Sequence, residues 1–506
     1  MSRAGGRAAR GQAPARELVL LATCLVFMFA SVLAAFTGAP ASVSLALFLG
    51  ALTSVAVGIR CDYNAIDPGH VIVYAWTMSI SFYYSGVIAV LRPWYTVEAT
   101  VYLLAFISCL LAGRALWPAL FDRVSPRRVA QEVGFEELWL DFLTFRWLGD
   151  AAAVLGYISA VSFAVEMLVF NSIDLSNLAH ARAAFVTRNA TFLSQVSLIG
   201  RVGAIVSLLL GTVFQSRLGR IRCLWYVGSG LSTIVVSVLS AGRFVVLQIL
   251  MTIMFGLAVR RTFGQRALAL ARHRVYAVLL GCTLLGYMFY ISIARSDRDP
   301  FATARYYLAS SGLTVGSEAT EWGFYRLPIQ VQLSVISTFA YSSMPVGHFS
   351  IFWNVYDGEP QLGAFNFYVL SHNLKKLDPS LDESTDILAQ RYSEFNAVGE
   401  GTGTWQTGVR DWIIDFGKPV TIAGAFLIGA LGGMTLRKFK RRPRLGTMLR
   451  LGGIWMVMLH FPLYSIIGEP SVVAMVLAPW LLPFLRGASR RRSATGLEAL
   501  RSAIPG

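Results

Sequence analysis

The sequence predicts an all-α polytopic integral membrane protein of about 12 transmembrane helices, with one large late extracytoplasmic loop containing a re-entrant or interfacial helix. Three observations carry that prediction. The composition is 55% hydrophobic and 14% charged, with a mean hydropathy of +0.57, where soluble domains carry roughly a quarter charged residues. Apolar windows of about 20 residues recur along the chain, the length a helix needs to cross a hydrocarbon core of about 30 Å. They are continuous rather than alternating, the pattern of helices and not of barrel strands. Finally, the arginines sit in short blocks on alternate connectors, which is the charge signature of membrane orientation.

The spans read as 18–36, 41–59, 71–91, 100–120, 147–170, 195–215, 223–239, 244–259, 275–293, 419–436, 449–467 and 471–485. The run after Leu18 is too long for the apolar core of a signal peptide, so it reads as a retained first span. Residues 1–17 then form a basic cytoplasmic N-terminus, and 18–293 the first nine spans. Residues 294–418 form the large extracytoplasmic loop, 419–485 the last three spans, and 486–506 a basic cytoplasmic tail. Starting with the N-terminus inside places every basic block on one side: Arg123 to Arg128, Arg217 to Arg222, Arg260 to Arg274, the RKFKRRPR run from Arg437, and Arg490 to Arg492. Both termini are therefore expected inside. The same distribution argues that the net charge of +16 reflects topology and not nucleic-acid binding. Cys24, Cys61, Cys109, Cys223 and Cys282 fall in apolar segments or an inside connector, so no disulfide framework is implied.

Most acids fall on the outside, chiefly in the long loop, which makes the outside arginines stand out individually. Ser240-Ala241-Gly242-Arg243 is a short outside hairpin that places Arg243 against the orientation bias. The connector 171–194 has Leu178, Phe185 and Phe192 at seven-residue spacing with Arg182 and Arg188 between them, the pattern of an interfacial amphipathic helix. Arg201 and Glu166 lie within spans near the outside end. They are expected to pair, or to line a cavity open to that side, because a lone charge at a helix centre costs roughly 2.5–3.5 kcal/mol on insertion scales. Asp150 lies near the inside end and is expected to be solvated.

Within the loop, Arg295 to Arg305 is polar and charged. Residues 329–353 are apolar enough to enter a membrane, but Pro345, Gly347 and His348 interrupt them, and a full crossing would invert the charge rule. The segment therefore reads as re-entrant. Residues 374–400 read as a polar surface segment. A turn at Gly401–Gly403 then leads into a short helix, and Pro419 opens the next span.

No phosphate-binding loop, dinucleotide fingerprint, HExxH or paired CxxC is present, and the scattered histidines indicate no metal site. What the outside face offers is guanidinium groups, including Arg182, Arg188, Arg243, Arg295, Arg305, Arg326 and Arg410. Arginine forks onto phosphate oxygens through two parallel hydrogen bonds. A set of arginines can hold a diphosphate as preorganised positive charge, with no cofactor; lipid headgroups would take the same groups equally well.

The SAGR hairpin at Arg243, the single late loop, and TWQTGVRDWIIDFGKPVTIAGAFLIGALGG leading into a late span together resemble the bacterial oligosaccharide repeat-unit polymerases, the O-antigen polymerases of the Wzy type. Thr407, Asp415, Phe416, Gly417 and Gly424 or Gly429 match that family's phrase, and Phe339-Ala340-Tyr341 its aromatic stretch. Lys418-Pro419 departs from it. The resemblance covers most of the chain as topology and about forty residues as motif. It implies a glycosyltransferase in the bacterial plasma membrane whose partners are polyprenyl-diphosphate-linked oligosaccharide, membrane lipids, a chain-length regulator and a flippase. Arg243 is then the first choice for the diphosphate, followed by Arg188, Arg182 and Arg295. His348 is the first choice for an acceptor-side base, with Glu469 and Asp415 behind it. Arg201, Arg305, Arg326, Tyr341 and Arg410 are expected around the acceptor cavity. An O-antigen ligase uses the same donor and is the nearest alternative. A polyprenyl-phosphate-sugar-dependent transferase would carry acids in the first outside loop, here only Thr37 to Pro40. A transporter would show inverted repeats and mid-membrane ionisable groups.

Overall fold

The computed structural model describes residues 5–61, 65–85, 88–90, 97–121, 131–173, 191–240, 242, 244–265, 282–283, 286–287, 290, 313–315, 320, 323–328, 331–332, 346–354, 356, 358–363, 365–367 and 407–485. In chain order the elements are α1 (Gly5–Phe36), α2 (Ala41–Cys61), α3 (Pro68–Tyr83), β1 (Ile88–Val90), α4 (Val97–Phe121), α5 (Gln131–Thr144) and α6 (Arg146–Val165). They continue with α7 (Phe192–Val213), α8 (Arg220–Ser232), α9 (Ile234–Leu239), α10 (Phe244–Thr262), β2 (Leu313–Val315), α11 (346–354), α12 (Gly408–Arg441), α13 (Leu445–His460) and α14 (Pro470–Leu485).

Seven of the described helical segments are long and apolar enough to cross a membrane, and two shorter apolar helices, Val19–Ala34 and Pro470–Leu485, accompany them. Val154, Ile158, Val161, Val165 and Leu168 lie exposed along one side of α6 and the wide turn that extends it. Leaving a stripe of large aliphatics uncovered is costly in water and costs nothing in lipid. The class defined by these helices is a membrane-embedded α-helical protein.

Several boundaries differ from the sequence reading. The span expected over 71–91 ends at Tyr83, and Ile88–Val90 instead forms β1, antiparallel to β2 with Ala89 opposite Thr314. β-Branched residues at both ends of this ribbon suit an extended pairing. The span expected over 223–239 is two helices with a break at Thr233. The span expected over 449–467 stops at His460, because Pro462 has no N–H with which to carry the helical ladder on. Residues 131–144, read as connector, form α5, whose Asp141 accepts the Leu445 N–H at 2.8 Å and so caps α13. Most of the ninth span, 275–293, lies outside the described residues, as do 174–190 of the expected amphipathic connector and all of 374–400.

The helices are drawn together by small residues, as lipid offers no hydrophobic drive between apolar faces. A Cβ on Gly113 of α4 would lie 2.0 Å from the Phe426 carbonyl of α12, and one on Gly429 of α12 the same distance from the Leu110 carbonyl. Along α6 and α7, Ser159 Oγ donates to the Ser197 carbonyl at 2.7 Å. At the basic end, Asp67 caps α3, accepting from Gly69 N–H at 3.0 Å and from the Arg114 guanidinium of α4. Burial alone would raise the pKa of this carboxyl. Arg114 and His70 outweigh it and hold Asp67 below the usual carboxylate range.

Candidate functional site

The end of the bundle opposite the basic terminus of α12 gathers the polar side chains. Thr407 caps α12 there, its Oγ1 accepting from Arg410 N–H at 3.2 Å. The helix runs to Phe416, turns at Gly417 (φ 76°, ψ 165°) and resumes into the span. Only glycine adopts that backbone conformation freely. The expected short helix before Pro419 is thus present, and the hinge is one residue pair earlier than Pro419 itself.

The first turns of α12 place Arg410, Asp411 and Asp415 in the interior. Arg410 is only 3% exposed, with its guanidinium carbon 5.9 Å from the Phe352 ring centre and 5.6 Å from that of Phe365, a two-ring cationic contact. Its Nε stands 3.9 Å from Asp411 Oδ1. Asp411 Oδ2 accepts from Ser465 N–H at 2.8 Å, and Ser465 Oγ meets Trp412 Nε1 at 3.2 Å. The connector 461–469 is in this way fastened to the start of α12, reinforced by Gly408 N–H donating to the Phe461 carbonyl at 2.8 Å.

Asp415, placed behind His348 as a choice for the acceptor-side base, is held by donors of the long loop. Its carboxylate accepts Phe365 N–H at 2.9 Å, Asn366 N–H at 2.8 Å and the Asn366 side-chain amide. Three donors from the long loop converge on one buried acid, so Asp415 anchors that loop to α12. Leu362 and Gln361 add backbone bonds to the Asp415 and Ile414 carbonyls. Gly468 completes the dock: a Cβ there would lie 1.8 Å from the Asn366 carbonyl oxygen.

Glu166 and Arg201 do not pair with each other. Arg201 reaches Glu469, with Nη2 3.5 Å from Oε1, while Glu166 is buried and accepts from Ser194 Oγ at 2.5 Å. The wide turn at the end of α6 carries Glu166 to Ser194 in the first turn of α7, whereas Arg201 lies about two turns further along the same helix. Glu469, a second choice for the acceptor-side base, is largely covered as the residue before Pro470 at the start of α14. Asp150, expected to be solvated, is 41% exposed and also accepts from Tyr226 Oη at 2.9 Å and Arg222 Nε at 3.2 Å.

His348 lies in the first turn described of α11, where the Tyr83 ring closes to 3.0 Å of a Cβ position on Gly347; Pro345 and the residues 333–344 before it lie outside the described residues. The imidazole is fully buried with neither ring nitrogen bonded. Burial, assisted by the nearby Arg410 charge, lowers its pKa to about 4. Arg326 is exposed on a short turn and takes no part in this cluster. Arg182, Arg188, Arg243, Arg295, Arg305 and Tyr341 lie outside the described residues.

Residues that the sequence reading passed over complete the arrangement. His460, fully buried with both ring nitrogens unbonded, faces Phe244 at 5.8 Å and Tyr464 at 5.4 Å between ring centres. Phe244 directly follows Arg243, so the hairpin's neighbour enters the cluster. Tyr464 is held above its usual pKa range by burial and by Glu469, with Arg201 and Asp411 also within electrostatic reach. The four-residue spacing of Asp411 and Asp415 was a visible signal, since it places both on one helix face. His460 and Tyr464 had none, because both lay in what read as continuous span.

Comparison with protein-family models, curated proteins and solved structures returns no match for this chain.

Proposed function

We propose that the chain is a glycosyltransferase that joins polyprenyl-diphosphate-linked oligosaccharides into a surface polysaccharide at the outer face of the bacterial plasma membrane. The observation that supports this reading is the convergence of Arg201 and Arg410, both largely buried, around Tyr464, Asp411 and Glu469 at one end of an apolar bundle. Placing two guanidinium groups in a low-dielectric setting is expensive and is characteristic of sites that receive an anion.

In the proposed reaction, a sugar hydroxyl of one lipid-linked unit attacks the anomeric carbon of another. The bond from that carbon to the diphosphate oxygen breaks, the polyprenyl diphosphate leaves with the electron pair, and the hydroxyl proton passes to a base. Arginines would stabilise the charge developing on the leaving diphosphate, with Arg243 beside Phe244 joining Arg201 and Arg410. The transition state would be oxocarbenium-like, as in glycosyl transfer generally. The loop anchored by Asp415 would form the wall of the acceptor side.

The test is the surface glycan of the host after gene inactivation, examined by gel. Single lipid-linked repeats in place of a ladder support polymerisation, and complete loss of attachment favours the ligase alternative. An unchanged glycan with altered uptake of a small solute would sink both. Complementation with Arg243→Ala or Arg410→Ala should restore protein in the membrane but not the ladder.

A further inference from the structure

We infer that Arg450 and Trp480 form a binding site for the phosphate of a membrane phospholipid at the basic end of the bundle, far from the cluster described above. Arg450 lies on α13 and Trp480 on α14, and the two helices meet through Gly446 and Gly453. A Cβ on Gly446 would sit 3.0 Å from Pro479 Cα, and one on Gly453 3.2 Å from the Val472 carbonyl. Gly446, Arg450 and Gly453 are spaced four and three apart, so they share one helix face. The glycines bring the helices together and Arg450 projects into the seam between them.

The guanidinium is then held in a defined plane. Its Nε donates to the Val476 carbonyl at 2.8 Å, and its carbon lies 3.8 Å from the Trp480 ring centre. Arg450 is 8% exposed, one Nη is buried without a hydrogen-bond partner, and no carboxylate among the described residues pairs with it. Trp480, by contrast, is 55% exposed on the outer surface of the bundle. A fixed cation, uncompensated among the described residues, therefore lies just beneath the lipid-facing surface, under an exposed aromatic ring.

Depth identifies the occupant. Arg450 is five residues from the start of α13 and Trp480 five from the end of α14, so at about 1.5 Å per residue both lie about 8 Å inside the basic end. That is the level of the interfacial belt, where tryptophan is enriched and lipid phosphates lie. Lys438, Lys440 and Arg441 in the last turn of α12 occupy the same end and raise the local anion concentration. With Nε on Val476 and one Nη buried, the other Nη is the donor left for a phosphate oxygen, on a group that keeps its charge at any pH.

The site is tested with the purified full chain in nanodiscs of phosphatidylcholine alone or mixed with phosphatidylglycerol. Retained lipid is read by native mass spectrometry and stability by thermal unfolding. The wild type should retain phosphatidylglycerol selectively and unfold at a higher temperature in the mixed discs. Arg450→Met should lower that retention about tenfold, Arg450→Lys should lower it partially, and Trp480→Leu, on an exposed position, should weaken it without disturbing the seam. If Arg450→Met does not fold, the Lys and Leu variants carry the same test. Equal retention across wild type and folded variants would overturn the proposal. Equal stabilisation by inorganic phosphate in detergent would also overturn it, because the occupant would then be a soluble anion.

Discussion

Arg201 and Glu469 pair across the bundle, Nη2 to Oε1 at 3.5 Å, joining the middle of α7 to the residue that precedes α14. Both side chains are mostly covered, so neither partner can be satisfied by water if the other is removed. The pair therefore ties two distant parts of the chain and sets the floor of the polar cluster beneath Tyr464.

Arg201→Ala leaves Glu469 largely buried and uncompensated, which should destabilise the protein by about 3 kcal/mol, the lower part of the range for breaking a buried pair. Glu469→Gln, which retains a hydrogen-bonding group, should cost less. Thermal unfolding of the two single variants and the double variant measures the coupling, and additive losses would show that the contact carries no energy.

Asp415→Ala removes the acceptor for three donors of residues 365–366 and should expose them to exchange. The prediction is faster deuterium uptake over 358–367 with little change in α6 or α7, and a loss of about 2–3 kcal/mol. Asp415→Asn should fall between the two. Unchanged uptake would mean that the backbone bonds from Gln361 and Leu362 hold the loop alone.

Gly417→Ala forces a side chain into a positive-φ, extended-ψ backbone and should cost about 1–3 kcal/mol. The nearest atom to the new Cβ is Pro360 Cγ at 3.5 Å, so the cost is conformational and not steric. Gly424→Ala supplies a contrast, since there the Trp412 ring is 2.8 Å from the Cβ position in an ordinary helix. The two variants should separate in thermal unfolding by whether a Trp412→Leu background rescues them. Only Gly424→Ala should be rescued.

His348 contributes an acid-side limb to stability. Its pKa in the folded protein is about 4, against about 6.5 in an unfolded chain. Between these values only the unfolded state binds the proton, so stability falls as pH drops from about 6.5 toward 4 and is unaffected above that window. The loss should approach about 3 kcal/mol. His348→Phe should flatten the limb, and an unchanged pH profile would show that the imidazole reaches solvent in the folded protein.

Arg114→Ala strands the fully buried Asp67 and should lower the unfolding temperature more than Arg114→Lys, which keeps a charge near the carboxylate. Because the folded pKa of Asp67 is depressed, the stabilisation is fully present above about pH 4 and is lost as pH falls below it. Thermal unfolding across that range in wild type and Arg114→Ala checks both statements.

Hydropathy alone determined that this is a membrane-embedded helical protein, and it located the long helices to within a few residues where the apolar run was unbroken, as in α4, α6 and α7. Local chemistry also marked a short helix ending before Pro419 and Asp415 as a residue with a task, while the hinge at Gly417 emerged only in the structure. Tertiary structure decided the rest. Arg201 chose Glu469 over Glu166, Asp415 took its donors from a segment fifty residues away, and His460 and Tyr464 entered the polar cluster from a stretch that read as plain span. The reason is physical: an apolar window reports transfer into lipid, summed over about 20 residues, and is insensitive to the single polar atom within it. Which charge compensates which depends on helix rotation and on the few ångströms of approach that glycines permit, and neither is written in hydropathy or spacing.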